Sequence, residues 1–271
     1  VELVDDTMIS LAQKIDMFKP TVEAVVNGNP KSLLLVEFAE EEMDENHRRL
    51  KKLHLLMNDL GYSWNKNEKK GGVIDVIDDN LQSKVSEMRK SGLNIMMSMK
   101  DDAKPVSFIE DCAVELKDLA EYTNGLNKIF DKYKVKGTWY AHASVGCLHV
   151  RPVLNMKIQD DVKKMRNIAN ETSSLVKKFN GSYSGEHGDG IARSEFNEVM
   201  FGKKMINIFK IIKNSFDPLN IFNPGKIVDA PKLDSRSLFR YAPSYNAQNI
   251  NTILDWSSWT GASGGFQGAI E

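Results

Sequence analysis

Three of the chain's five histidines fall in two short segments where glycine makes the backbone permissive. His142 and His149 bracket Ala143-Ser144-Val145-Gly146-Cys147-Leu148, and His187 lies in Gly185-Glu186-His187-Gly188-Asp189-Gly190. Histidine and carboxylate gathered in this way assemble either a metal site or an acid–base site. Two histidines and one carboxylate form a recurring set for a divalent metal that keeps open coordination positions. Adjacent residues of an extended chain point in opposite directions, so Glu186 could ligate a metal while His187 faces a substrate. The seven-residue offset between His142 and His149 would separate them on one continuous strand. Gly146 and its small neighbours argue instead for a turn or bulge that aims both into one cavity. A plain pair of hydrogen-bonded strand histidines is the competing reading of the same spacing. Asp189 reads as a solvated turn residue, Cys147 as a packed one, and Glu110 and Asp111 as strand-end acids that need not be catalytic. His47 and His54, among Glu45, Arg48, Arg49 and Lys51, read as solvated helix surface.

The elements that position these residues mix without a strict β–α–β rhythm. Leu3–Phe18 reads as a helix that Pro20 ends, Thr21–Val26 as a strand, and Ser32–Phe38 as a buried strand. Glu40–Leu60 and Asn80–Arg89 read as helices, the second closed by Gly92 as a C-cap. The region from Tyr62 to Asp75 reads as a polar connector, and Met96-Met97-Ser98-Met99 as core packing. Val106–Cys112 reads as a strand, Leu116–Tyr133 as an amphipathic helix, and Val135–Val153 as a hairpin broken at Gly137 and Gly146. Asp160–Phe179 and Ser194–Phe216 are helical, the latter with Ser194 as N-cap. A glycine-rich loop lies between these two helices. Asp217-Pro218 and Asn223-Pro224-Gly225-Lys226 are turns, and residues 257–265 have linker composition. The expected class is α+β, a mainly antiparallel sheet covered by helices.

Composition narrows the function. A chain of 271 residues, 41% hydrophobic and 27% charged with a net charge of −1, gives no basic excess for nucleic acid. No apolar run reaches the length of a membrane span, and no signal-peptide pattern opens the chain. Two cysteines cannot build a disulfide framework or hold an iron–sulfur cluster, and they point to a reducing cytoplasmic setting. Neither a G-x-G-x-x-G after a strand nor a Walker A sequence is present. Val1 as the first residue reads as a piece of a longer protein.

His142-Ala143-Ser144-Val145-Gly146-Cys147-Leu148-His149 resembles the two-histidine segment of the C-terminal, substrate-side domain of FAD-linked oxidases. That domain belongs to the vanillyl-alcohol-oxidase-like superfamily, which includes D-lactate, glycolate and D-2-hydroxyglutarate dehydrogenases. Ser184-Gly185-Glu186-His187-Gly188-Asp189-Gly190 resembles its second signature. Asp217-Pro218 with Ile221-Phe222-Asn223-Pro224-Gly225-Lys226 resembles its closing motif. Three motifs in order make the resemblance specific.

The resemblance implies a ferredoxin-like α+β domain spanning residues 31–228. Residues 1–30 would be a helix and connector from an FAD-binding domain, and residues 229–271 a linker towards an iron–sulfur region. It implies that His142, His149 and Glu186 hold a divalent metal, zinc or manganese, which chelates the carboxylate and hydroxyl of a small 2-hydroxy acid. His187 would be the general base, Arg89 and Lys104 would hold the substrate carboxylate, and Asn223 and Lys226 would lie near the FAD. Leu238-Phe239-Arg240-Tyr241 and Gly264-Gly265-Phe266 resemble the join to a cysteine-rich region, where 4Fe-4S clusters would receive electrons. The resemblance leaves the electron acceptor unnamed and leaves room for a homo-oligomer. It puts the protein in the cytoplasm, with a peripheral place at the inner membrane as the alternative, and without an integral membrane segment. Relatives commonly carry Asp and Asn where this chain has Val145 and Cys147. Without the FAD-binding domain the chain is expected neither to retain FAD nor to be active. A metal-dependent hydrolase built on the same ligands and a non-catalytic acid-binding module are the alternatives.

Overall fold

Asp5 sets the start of the first helix. In a computed structural model, which describes residues 1–64, 71–242, 245, 250–258 and 265–266, its carboxylate accepts the Met8 amide at 2.9 Å. An N-cap of this kind satisfies one of the orphan donors that open a helix. The helix α1 therefore spans only Asp6–Ala12. The residues ahead of it form strand β1 (Glu2–Asp5), antiparallel to β2 (Ser32–Leu35) with Glu2 opposite Leu35. The long helix expected from Leu3 is thus a strand followed by two turns of helix.

The chain divides into two compact units, Val1–Ser98 and Met99–Glu271. In the first unit, α2 (Lys19–Val25) replaces the strand expected at Thr21–Val26. Pro20 sits in its first turn, where the missing N–H has no intrahelical partner to lose, so proline begins this helix and does not end one. The β-branched run reads as strand by propensity. Burial of Val22 with Met8, Ile9, Phe18 and Ile95 in one apolar cluster overrides that preference. Strand β2 is not the buried strand expected, since Leu34 is 55% exposed. The helices α3 (Met43–Asp59) and α4 (Asp79–Lys90) match their expected spans, and the Asp78 carboxylate caps α4 through the Leu81 amide at 2.8 Å. Ser91, not Gly92, is the C-cap of α4, and Gly92 opens α5 (Gly92–Met97). Met96 joins the core, as expected, while Met97 is exposed. Part of the connector after Tyr62 lies outside the described residues.

The second unit carries the hairpin β5 (Gly137–His142) and β6 (Cys147–Leu154), paired from Gly137 opposite Pro152 to His142 opposite Cys147. Two short strands, β3 (Lys104–Pro105) and β4 (Cys112–Ala113), pair antiparallel with β6 at Leu154 and Leu148 respectively. Residues 106–111 do not continue as the strand expected there. Asp111, with φ of 77°, turns the chain out of extended geometry just before β4. The alternation of strand side chains sends Ala141, Leu148 and Val150 into the apolar core. The helices α6 (Leu119–Tyr133) and α7 (Gln159–Lys178) supply Tyr122, Leu126, Ile129, Phe130, Ile168 and Val176 to that core. The opposite face of the hairpin carries Tyr140, His142, Cys147, His149 and Arg151.

Downstream, α8 (Gly190–Arg193) and a 3₁₀ turn at Ser194–Phe196 lead to α9 (Asn197–Phe201) and α10 (Lys203–Phe216). The single helix expected from Ser194 is broken by Gly202, whose φ of 81° and ψ of 160° are not helical. Ser194 is not a helix N-cap; its hydroxyl donates to the Gly190 carbonyl and accepts the Ile227 amide at 2.9 Å, tying the closing segment down. Asp217 organises that segment, its carboxylate accepting the amides of Ile221 and Phe222, each at 2.9 Å. No helix among the described residues is long and apolar enough to cross a membrane. Most of the expected linker at residues 257–265, and Gly264 of the second joining motif, lie outside the described residues.

Gly146 closes the hairpin with φ of 70°, and a Cβ there would lie 2.0 Å from the Val114 carbonyl oxygen. Gly146→Ala is therefore expected to lower stability by about 1–3 kcal/mol, read as a lower denaturation midpoint. A midpoint equal to wild type would refute this account of the turn.

Candidate metal and acid–base centre

The β5–β6 register puts His142 and His149 on one sheet face, because a turn, not a continuous strand, joins them. Their rings lie 4.9 Å apart, edge to face. Tyr140 stacks on one side of His149 at 5.6 Å, and His187 stacks on the other at 4.9 Å with an interplanar angle of 11°. His149 therefore sits in a column of rings and is buried, while the His187 side chain is 41% exposed.

Glu186 ties the cluster together. Its Oε1 lies 2.9 Å from His149 Nε2, 3.4 Å from His142 Nε2 and 3.4 Å from His187 Nε2. Three imidazoles around one carboxylate oxygen is an arrangement of electron-pair donors more than of hydrogen-bond pairs. Burial pushes the His149 pKa down, and the neighbouring His142 and His187 push the same way. A neutral ring keeps a lone pair for a cation. His149 Nδ1 is buried without a hydrogen-bond partner, a state that costs about 1–3 kcal/mol unless something compensates it. One ligand atom each from Asp111, Cys147, His149 and Glu186 lies within 4.8 Å of the others. Of these, His149 and Glu186, with His142 Nε2 3.4 Å from Glu186 Oε1, suit a divalent metal ion.

Asp111 and Glu110 build the floor. Asp111 is fully buried, and its Oδ1 accepts the Glu186 amide at 2.8 Å. Its Oδ2 accepts the His187 amide at 2.8 Å and the Ser184 hydroxyl at 3.0 Å. Burial alone would raise its pKa, but these donors outweigh burial and hold the carboxyl below its ordinary value. The Gly185 amide donates to the Asp111 carbonyl at 2.6 Å, and a Cβ on Gly185 would lie 3.0 Å from that same oxygen. Glu110 is held by the Arg151 guanidinium, and its Oε1 lies 3.7 Å from His187 Nδ1. Arg193 donates to the Glu110 carbonyl at 3.0 Å and to the Gly188 carbonyl at 2.6 Å, closing the glycine loop over this layer.

Of the residues singled out from the sequence, the structure gathers His142, His149, Glu186 and His187. It does not gather Lys104, which pairs with Leu154, five residues or about 16 Å along β6 from His149. The Lys104 amine donates to the Met99 carbonyl, and burial pushes its pKa down. Arg89 belongs to the first unit and pairs with Glu2 at 2.6 Å. Asn223, with φ of 50°, stands in the closing turn, and the Lys226 amine donates to the Pro224 carbonyl at 3.3 Å. His54 is a surface residue as expected, 2.8 Å from Asp75.

Over residues 1–227 the chain matches the family described as FAD linked oxidases, C-terminal domain. The chain belongs to that family. A D-2-hydroxyglutarate dehydrogenase of Pantoea ananatis is 31% identical over 234 residues, 84% of this chain and 22% of the relative. The Escherichia coli protein of that name is 28% identical over 245 residues, 87% of this chain and 23% of the relative. A D-lactate dehydrogenase of Archaeoglobus fulgidus is 31% identical over 125 residues, covering 46% and 27% of the two chains. The chain thus spans less than a quarter of the D-2-hydroxyglutarate dehydrogenases it matches.

The cluster also includes two acids, Glu110 and Asp111, whose signal in the sequence is weaker. Glu110 and Asp111 follow Phe108 and Ile109, both fully buried. Two acids at the end of an apolar run were the available signal, because a buried carboxylate demands partners. Arg151 and Arg193 carried no such signal among 36 Lys and Arg residues.

Burial pushes the Cys147 thiol up to about 12, with Asp111 and Glu186 adding to it, and burial does the same to Cys112. A thiol four units above the solution pH is about one part in ten thousand thiolate. At pH 8 both thiols are expected to resist alkylation in the native chain and to react together only on unfolding. Fast labelling of Cys147 in the native state would contradict this.

Proposed function

We propose that this chain is the substrate- and metal-binding domain of a flavin-dependent dehydrogenase that oxidises a 2-hydroxy acid of the D-2-hydroxyglutarate or D-lactate type. The carrying observation is the convergence of His142, His149 and His187 on one oxygen of Glu186. The names of the relatives point the same way.

In this reading His142, His149 and Glu186 hold the metal. Bound there, a divalent cation supplies Lewis acidity that makes a substrate hydroxyl easier to deprotonate. His187 takes the hydroxyl proton at Nε2, the nitrogen facing the cluster. Its exposure leaves it open to a substrate. The Glu110 carboxylate, opposite Nδ1, stabilises the imidazolium that results. Bound FAD would supply the hydride acceptor. Asn223 and Lys226 stand near it, in a segment whose Ile221 and Phe222 side chains are exposed and available for a cofactor or a further domain to cover. Iron–sulfur clusters, which the two cysteines of this chain could not hold, would supply the onward electron acceptor.

Metal analysis tests the ligand set directly. The wild-type chain is expected to carry one zinc or manganese ion, and His149→Ala to lose it; equal metal content in the two would remove His149 from the set. In the flavin-loaded full-length enzyme, His187→Ala is expected to lower turnover by roughly a hundredfold or more. An unchanged rate would remove His187 from the proton transfer.

A further inference from the structure

Asp111 is conspicuous among the acids of this centre because its own bonding capacity is already used. Both carboxylate oxygens point at donors from one short segment, namely the Glu186 amide at 2.8 Å, the His187 amide at 2.8 Å and the Ser184 hydroxyl at 3.0 Å. The Asp111 main chain takes part as well, its carbonyl accepting the Gly185 amide at 2.6 Å and its amide donating to the Leu148 carbonyl of β6 at 2.8 Å. One residue thus joins β6, which carries His149, to the segment that carries Glu186 and His187. Its φ of 77° is the conformation that lets carbonyl and carboxylate face the same loop. An aspartate tolerates that region better than most residues, but the conformation still has to be held by its surroundings.

We infer that Asp111 is a positioning residue for Glu186 and His187, acting through their backbone amides and not as a metal ligand. The inference rests on Glu186 ligating the metal and His187 moving the proton as proposed above. Its oxygens lie close enough to Cys147, His149 and Glu186 to resemble part of a ligand set. With three loop donors and the Cys147 thiol, 3.6 Å from Oδ1, already directed at them, however, they are committed to the loop and the hairpin. Adjacent residues whose side chains converge on one cluster, Glu186 Oε1 lying 3.4 Å from His187 Nε2, need a fixed backbone if one is to reach the metal and the next the substrate. Two amides clamped by one rigid carboxylate provide it, as outer-shell partners do for metal-bound residues generally.

The test compares the wild-type chain with Asp111→Asn and Glu186→Gln. Asparagine accepts a positive φ and keeps one carbonyl oxygen, so it retains the local backbone while turning one acceptor into a donor that faces an amide. Three quantities are read: the thermal midpoint, zinc affinity by competition with a chromophoric chelator, and amide hydrogen exchange at Glu186 and His187. Asp111→Asn is expected to keep a midpoint within a few degrees of wild type. Its two amides should exchange at least about tenfold faster, and zinc should bind roughly 10–100-fold more weakly. Glu186→Gln should weaken zinc at least as much while both amides stay protected.

Wild-type zinc affinity or unchanged exchange in Asp111→Asn overturns the inference. So does loss of zinc with both amides still protected, which would make Asp111 itself a ligand. Should Asp111→Asn not fold, wild type alone decides: fast exchange at Glu186 and His187 refutes the clamp, and slow exchange at both upholds it. If wild type takes no zinc, the metal reading of Glu186 fails, and exchange in the variant still decides whether Asp111 holds the loop.

Discussion

A fully buried carboxylate with both oxygens occupied is the constraint on which the second unit's chemistry depends. Asp111 loses its hydration on burial, and a charge in that position persists only if donors replace the water. The donors available are the Ser184 hydroxyl and the amides of Glu186 and His187, so satisfying the charge draws the glycine-rich loop onto the end of β6. A backbone with large side chains could not come so close. Gly185 is in contact with the Asp111 carbonyl, and a Cβ there would crowd it.

Charge is layered outward from that point. Glu110, the preceding residue, is held by Arg151 from β6, while Arg193 binds its carbonyl and the loop's Gly188 carbonyl. The two acids serve different ends: Asp111 fixes the loop backbone, and Glu110 lies beside the ring of His187. Glu186 balances three imidazoles with a single carboxylate, an electron-rich cluster that is well matched to a cation. Stacking of Tyr140, His149 and His187 then restricts the planes of the rings. A site of this kind is organised before any ligand arrives, which lowers the ordering cost of binding.

Much of this was legible because the chemistry is concentrated in sequence. His142, His149, Glu186 and His187 stand in glycine-flanked segments, and the helices α6 and α7 carry the long apolar periodicity that is read most securely. The first unit was read less well. Thr21 and Val22 have strand propensity, yet they belong to a helix because its face is buried with Met8, Phe18 and Ile95. Gly202 divided a helix whose apolar pattern ran through it, since its backbone leaves helical space.

Residue type and order by themselves determined the α+β class, the hairpin that presents two histidines, and the identity of four groups in the centre. They did so because side-chain periodicity and glycine placement are local properties. Tertiary structure alone decided that Glu110, Asp111, Arg151 and Arg193 belong to the same centre. A buried charge is defined by what surrounds it, and the groups surrounding Asp111 lie more than seventy residues away along the chain. The register of β5 on β6 likewise settled that His142 and His149 share a face, because a strand's spacing cannot show where the chain turns back.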